Sequence, residues 1–280
     1  MRRAAARDVR ALKKALTALG RPERARGERT YLKSSLEFLG VDAAGIRGTA
    51  RAFVAARPDL TRADITTLVE ALWRTRCHEL WQVGTALLER TTDRLSADDL
   101  ALVERLLRRA QSWAHVDFLA TAVAAPLVLK SGRSRRYLDR WARDEGFWIR
   151  RAALLALLPP LRRGAGDFDQ FVRYAVPMLG EDQFFIRKAI GWVLREISKK
   201  RPALVAAFLR DHASQVSGLT YREATKYLPL ADRRNLDRLR AAGGMHERRA
   251  SRPSNKAQGS RLRAQGKPSP VNPSALSLEP

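Results

Sequence analysis

An indole and a carboxylate four residues apart carry the first chemical signal in this chain. In Ser112-Trp113-Ala114-His115-Val116-Asp117 the spacing puts Trp113 and Asp117 on one face of a helix. The spacing makes an indole and a carboxylate neighbours, an aromatic face beside an anion. The same spacing also serves a core tryptophan followed by an aspartate that caps a helix or pairs with an arginine. Two further segments join cations to aromatics. Phe147-Trp148-Ile149-Arg150-Arg151-Ala152-Ala153 sets two arginines side by side. On a helix they point about 100° apart, so one can face a groove while the other meets solvent or a neighbouring helix. In Phe184-Phe185-Ile186-Arg187-Lys188-Ala189-Ile190-Gly191-Trp192-Val193-Leu194-Arg195-Glu196, Trp192 lies off the Ile186/Ala189/Ile190/Val193 stripe and nearly alongside Lys188 and Arg195. From there it can stack on a sugar or base, or pack against the next helix pair.

Other catalytic patterns are missing. The chain has no Gly-rich phosphate loop, no HExxH, no Cys/His cluster and no GxSxG. His78, His115, His212 and His246 lie far apart, none with a second ligand at metal-binding spacing, and read as surface or capping residues. Lone Cys77 fits a reducing compartment and has no pattern of a nucleophile around it. No metal and no cofactor is expected.

Charge narrows the partner. The 280 residues hold 53 Lys and Arg against 29 Asp and Glu, a formal net charge of +24. Residues 1–27 contribute +7 and residues 241–280 contribute +5, which leaves +12 between them. A middle segment that stays this basic without its termini implies a basic face on the fold itself, and phosphates are the natural relief for such self-repulsion. A disulfide scaffold is excluded by the single Cys, and 45% hydrophobic residues suffice for a sizeable core. The opening MRRAAARDVR leads into no apolar run, so no secretory signal is visible. The uncharged run Phe118–Leu129 is shorter than the roughly 20 residues that cross a bilayer and contains Pro126, so it reads as a buried helix. No membrane association is expected, and the location expected is intracellular and cytoplasmic.

The elements that must position these residues are helices. Ile65, Leu68, Val69, Leu72 and Trp73 recur at helical spacing behind Thr61-x-x-Asp64, a capping-box pattern with Asp in place of Glu. Leu80, Trp81, Gly84, Leu87 and Leu88 form the next stripe; Ser96-x-x-Asp99 opens another, and Thr220-x-x-Glu223 is expected to cap a late one. Val9, Leu12, Leu16 and Leu19 predict a basic N-terminal helix ended by Gly20-Arg21-Pro22. No stretch alternates with period two, so the fold class is all-α. Trp73, Trp113 and Trp148 recur in related contexts 40 and 35 residues apart, which suggests stacked helix pairs. Such a stack is an α-α superhelix whose inner surface is expected to form a concave basic groove. The division expected is a basic N-terminal segment over 1–27, a repeat domain over 28–240, and a disordered Gly/Pro/Ser-rich basic tail over 241–280. An elongated monomer suits this architecture.

Taken together, the segments around Trp113, Trp148 and Trp192 resemble the DNA alkylation repair family of HEAT-like-repeat glycosylases, the AlkD-like enzymes. The stretch Phe184–Glu196 is the most specific part. Tyr31-Leu32-Lys33 and Phe38-Leu39-Gly40-Val41 precede it, Leu219-Thr220-x-Arg222-Glu223-Ala224 follows, and the likeness covers about residues 28 to 230. The resemblance implies excision of cationic alkylated purines, such as N3-methyladenine or N7-methylguanine, from double-stranded DNA. A base that already carries positive charge leaves readily, so the main task is to stabilise charge on the deoxyribose. By the resemblance Asp117 stabilises the oxocarbenium-like sugar or positions water, and Trp113 and Trp192 line the sugar. Arg151, just before the Ala-Ala pair, is then the active-site arginine that grips the phosphate beside the lesion, with Arg150 its neighbour in register. Tyr31, Lys33, Arg150, Lys188 and Arg195 become DNA contacts, with Arg150 the alternative to Arg151 if the register shifts by one. Ser112 stands where some relatives carry an aromatic. A noncatalytic HEAT-like nucleic-acid-binding module is the other reading, for which a basic groove alone accounts for the charge.

Overall fold

A computed structural model describes residues 2–250. Its N-terminal half runs through α1 (Arg2–Leu19), α2 (Pro22–Leu32), α3 (Ala43–Ala55), α4 (Arg62–Arg74), α5 (His78–Arg90), α6 (Leu100–Arg109), α7 (Trp113–Phe118) and α8 (Ala125–Leu129). The C-terminal half adds α9 (Arg135–Trp141), α10 (Phe147–Ala156), α11 (Leu158–Arg162), α12 (Phe168–Ala175), α13 (Phe184–Ser198), α14 (Pro202–Asp211), α15 (Gly218–Ala224) and α16 (Leu230–Ala250). Among the described residues there is no strand, only an isolated bridge between Glu37 and Cys77. The all-α expectation holds. No described helix is long and apolar enough to cross a membrane.

Local chemistry sets the helix starts. Thr61 and Asp64 close the reciprocal capping box at α4, and Ser96 with Asp99 does the same for the 3-10 turn that leads into α6. The late cap differs from expectation. Ser217, not Thr220, accepts the backbone N–H at the start of α15, while Thr220 lies inside the helix and donates its hydroxyl to the carbonyl of Arg187 on α13. Two hydroxyls compete for one cap, and the one without a tertiary partner takes it.

Residue 27, the expected end of the N-terminal segment, falls inside α2, and α1 packs against α3 and α4 with Leu12 and Leu16 buried in the common core. Asp8 on α1 also takes two hydrogen bonds of 2.6 Å from Arg57. At the other end α16 continues through residues 241–250, and residues 251–280 of the expected tail lie outside the described residues.

One continuous core cluster runs from Leu12 to Leu236. Successive repeats are stitched by charge at near-constant spacing. Glu70 accepts from Arg105 across 35 residues, Asp144 from Arg108 across 36, Asp117 from Arg151 across 34, and Glu223 from Lys188 across 35. Such a ladder is what a stack of similar helical units produces, since equivalent positions in adjacent units fall opposite one another.

The run over Phe118–Leu129 is buried helix as expected, with one departure: Leu119–Ala124 is wound as a π-helix between α7 and α8. Pro126 has no N–H to donate, so the usual i to i−4 pattern cannot continue through it, and a widened turn absorbs the mismatch. The widened turn begins two residues after Asp117.

Candidate active site

Asp117 sits in the last turn of α7, and the hydroxyl of Thr121, one turn further on, donates to its backbone carbonyl at 2.7 Å. Its side chain is 6% exposed and that of Arg151 is 4% exposed. Arg151 Nε donates to Oδ1 and Nη2 to Oδ2, each at 2.7 Å, a two-pronged pair that fixes the plane of the carboxylate. Arg151 Nη1 donates to the carbonyl of Phe185 at 2.6 Å, which ties α7 through α10 to the start of α13. The guanidinium also lies 6.0 Å from the centre of the Phe185 ring. Three of its five N–H groups are therefore engaged, leaving two for a ligand. The family resemblance implied that Arg151 grips a phosphate; in the free protein its main partner is Asp117.

An aromatic cluster adjoins this pair through Phe185. Trp148 packs against Phe185 with centroids 4.7 Å apart and against Phe147 at 4.4 Å. Trp192 follows Phe185 by two helical turns, so Phe185, Lys188, Trp192 and Arg195 share one line along α13. Trp192 is half-buried against the core, and Trp113, at the start of α7, is half-buried too. The exposed ring of Tyr31 meets Trp113 edge to face at 6.1 Å.

The expected DNA contacts divide. Lys33 is exposed at the end of α2 in a left-handed backbone conformation with φ 48°. Arg150 turns away from Arg151: Nε and Nη2 donate to Glu181 at 3.1 and 2.8 Å, and Nη1 donates to the carbonyls of Asp144 and Glu145. Lys188 and Arg195 share Glu223, each at 2.5 Å. α15 comes close enough to α13 for this because residue 191 is glycine, where a Cβ would meet the Glu223 Cβ at 2.7 Å.

The reading of the histidines as surface groups fails for two of them. His78 and His115 are 5% and 0% exposed, with ring centres 4.8 Å apart. His78 stacks on Phe38 at 4.6 Å, and His115 lies 5.1 Å from Trp81, itself stacked on Trp73 at 4.6 Å. Burial, helped by the Arg24 charge, pushes the His78 pKa down to about 4. Burial pushes His115 well below its usual value, with His78 acting in the same direction. A neutral imidazole packs much as an aromatic hydrocarbon does, so spacing alone does not separate it from a polar surface group. Cys77 is buried, and burial raises its pKa to about 12, so it is a thiol rather than a nucleophile.

Phe185, Trp148 and Thr121 were absent from the expected site residues. A signal for the first two stands in the sequence: Phe147-x-Ile149-Arg150-Arg151-Ala152 and Phe184-x-Ile186-Arg187-Lys188-Ala189 are the same pattern one repeat apart, each opening a helix.

Comparison with known proteins places this arrangement. The chain is similar in structure to a "Predicted DNA alkylation repair enzyme" from Enterococcus faecalis, with a TM-score of 0.65, 24% identity, and 75% of this chain and 97% of that one covered. It is also similar to AlkD2 from Streptococcus mutans, with a TM-score of 0.51, 19% identity, and coverage of 64% and 88%. None of the curated proteins matches the chain significantly. These likenesses support the helical-repeat fold. The model of the DNA alkylation repair enzyme family matches residues 12–228, which include Trp113, Asp117, Arg151 and Trp192, and the chain belongs to that family.

Proposed function

We propose that this member of the family is a monofunctional DNA glycosylase that releases cationic alkylated purines, such as N3-methyladenine and N7-methylguanine, from duplex DNA. The observation that carries the reading is the buried carboxylate of Asp117, held in a fixed plane by Arg151 and four residues beyond Trp113. An alkylated purine needs little help to leave. As its glycosidic bond breaks, the electron pair goes to the base and positive charge moves to the deoxyribose. A fixed anion in a low-dielectric setting stabilises that charge without having to reorient. Each Asp117 oxygen accepts one hydrogen bond from Arg151 and keeps further lone-pair capacity for the sugar or an attacking water. In this reading Trp113 and Trp192 flank the sugar. Arg151 orients the carboxylate and offers its remaining N–H groups to a phosphate. Tyr31, Lys33, Lys188, Arg195 and Arg150 lie along a basic concave DNA path, and the enzyme acts as a monomer.

A second reading, a noncatalytic nucleic-acid-binding module, draws support from one observation: both Asp117 oxygens already have a cationic partner. Incubation of the protein with a duplex carrying N7-methylguanine separates the two. The glycosylase reading expects free 7-methylguanine above the spontaneous background; none above background refutes it and leaves the binding module.

A further inference from the structure

Most cations expected on DNA are covered by carboxylates in the free protein. Arg151 is paired with Asp117, Arg150 with Glu181, and Lys188 and Arg195 with Glu223. A cation that already holds a carboxylate releases little counterion when a phosphate arrives, so these positions contribute less to phosphate affinity than their charge suggests.

The contrast is a cluster beside Trp113 where three chain segments meet. Ser34 and Ser35, just after α2, both donate their hydroxyls to Oε1 of Gln111 at 3.2 Å. Arg76 Nη2 donates to the Ser35 hydroxyl at 3.0 Å. The segments are held in register by backbone bonds from Glu37 N–H to the Arg76 carbonyl at 2.7 Å and from His78 N–H to the Glu37 carbonyl at 2.9 Å. The Glu37 carboxylate is drawn off to Lys13 at 2.7 Å. Among the described residues, Arg76 and Lys33 form no salt bridge.

The Gln111 oxygen is filled by two hydroxyls, which leaves its Nε2 group with two free donors. Arg76 retains Nε and Nη1, and Lys33 retains its ammonium. The unspent side-chain N–H donors of the cluster are thus those of Arg76 and Gln111, both exposed, and the exposed Lys33 directly precedes Ser34 in the chain. Gln111 is two residues from Trp113, and Tyr31 on the adjoining helix touches Trp113 directly.

We infer that Arg76, Gln111 and Lys33 form a binding site for a backbone phosphodiester of DNA, next to the nucleotide that faces Trp113. The inference rests on the DNA-repair reading above and adds to it the side chains that set the strand in register. Arg76 and Gln111 position the substrate and take no part in bond breaking.

The test is the salt dependence of binding to a short duplex, with and without N7-methylguanine, for the wild type, Arg76→Ala, Lys33→Ala, Gln111→Glu and Arg195→Ala. Each neutralised phosphate contributes about 0.9 to the slope of log affinity against log salt. Arg76 and Lys33 share one phosphate, so Arg76→Ala and Lys33→Ala together are expected to lower the slope by about that much and each alone by part of it, and Gln111→Glu to weaken binding by about tenfold by placing an anion among the donors. Arg195→Ala, already balanced by Glu223, is expected to move the slope by less than Arg76→Ala does. All altered side chains are exposed or half-buried, and circular dichroism checks the fold. An unchanged slope for Arg76→Ala, or a larger change for Arg195→Ala than for Arg76→Ala, overturns the site. Base release measured in parallel keeps the two ideas apart: slope changes without excision sink the glycosylase and spare the site, and excision without slope changes does the reverse.

Discussion

Two ion pairs in this protein span almost the same stretch of sequence and live in opposite surroundings. Arg105 reaches Glu70 across 35 residues at 2.8 Å, with side chains 60% and 36% exposed. Arg151 reaches Asp117 across 34 residues at 2.7 Å, with side chains 4% and 6% exposed. Both link adjacent helical units, so stitching the stack together does not require burial. Removing both ions from water costs several kcal/mol each, and an apolar pair of the same size would stabilise the fold as well or better. A protein that keeps the charged version in its interior keeps an anion whose position is fixed and whose surroundings magnify its field. That is a poor way to gain stability and a good way to stabilise charge on a bound ligand.

The comparison breaks most readily through the buried pair. Arg151→Ala strands the Asp117 carboxylate and is expected to lower unfolding free energy by about 3–5 kcal/mol. Urea denaturation reads this directly, and a loss below about 1 kcal/mol would mean that Asp117 is wetter than its surroundings imply.

His78 and His115 sharpen the contrast, being buried polar groups with no counter-charge to hold a proton. His78 titrates near 4 when folded, against a usual value near 6.5, so the unfolded chain binds the proton first as pH falls. Its contribution is present in full above pH 6.5 and is lost between about 6.5 and 4, amounting to about 3 kcal/mol, with His115 acting in the same direction. Urea midpoints at pH 7.5, 6 and 4.5 are expected to fall steadily for the wild type and less steeply for His78→Gln. Parallel curves would place the acid sensitivity elsewhere.

The smallest effect belongs to the exposed pair. Arg105→Ala is expected to change stability by no more than about 0.5 kcal/mol. A cost comparable to that of Arg151→Ala would erase the distinction on which the functional reading stands.

Much of this was legible in the sequence because it is local. The capping box of Thr61 and Asp64, the stripe of Ile65, Leu68, Val69 and Leu72, and the shared face of Trp113 and Asp117 are all set within one or two turns. What was missed depends on neighbours far along the chain. Thr220 fits a cap by pattern, yet Arg187 of another helix claims its hydroxyl. Lys188 and Arg195 read as free cations because nothing nearby in sequence shows that Glu223 lies across them. His115 next to Trp113 looked polar, whereas packing against Trp81 and His78 made it core. The pairing of Arg151 with Asp117 was open for the same reason: the spacing of Trp113 and Asp117 describes one helix and says nothing of what faces it.

The most direct test of the account is single-turnover release of 7-methylguanine from duplex DNA by the wild type and by Asp117→Asn, with duplex affinity measured alongside. Asparagine keeps an oxygen for Arg151 and removes the negative charge. The account predicts release slower by about 100-fold or more with affinity no weaker than that of the wild type, because the substitution removes an anion and uncovers Arg151. Equal rates of release from the two proteins would contradict it.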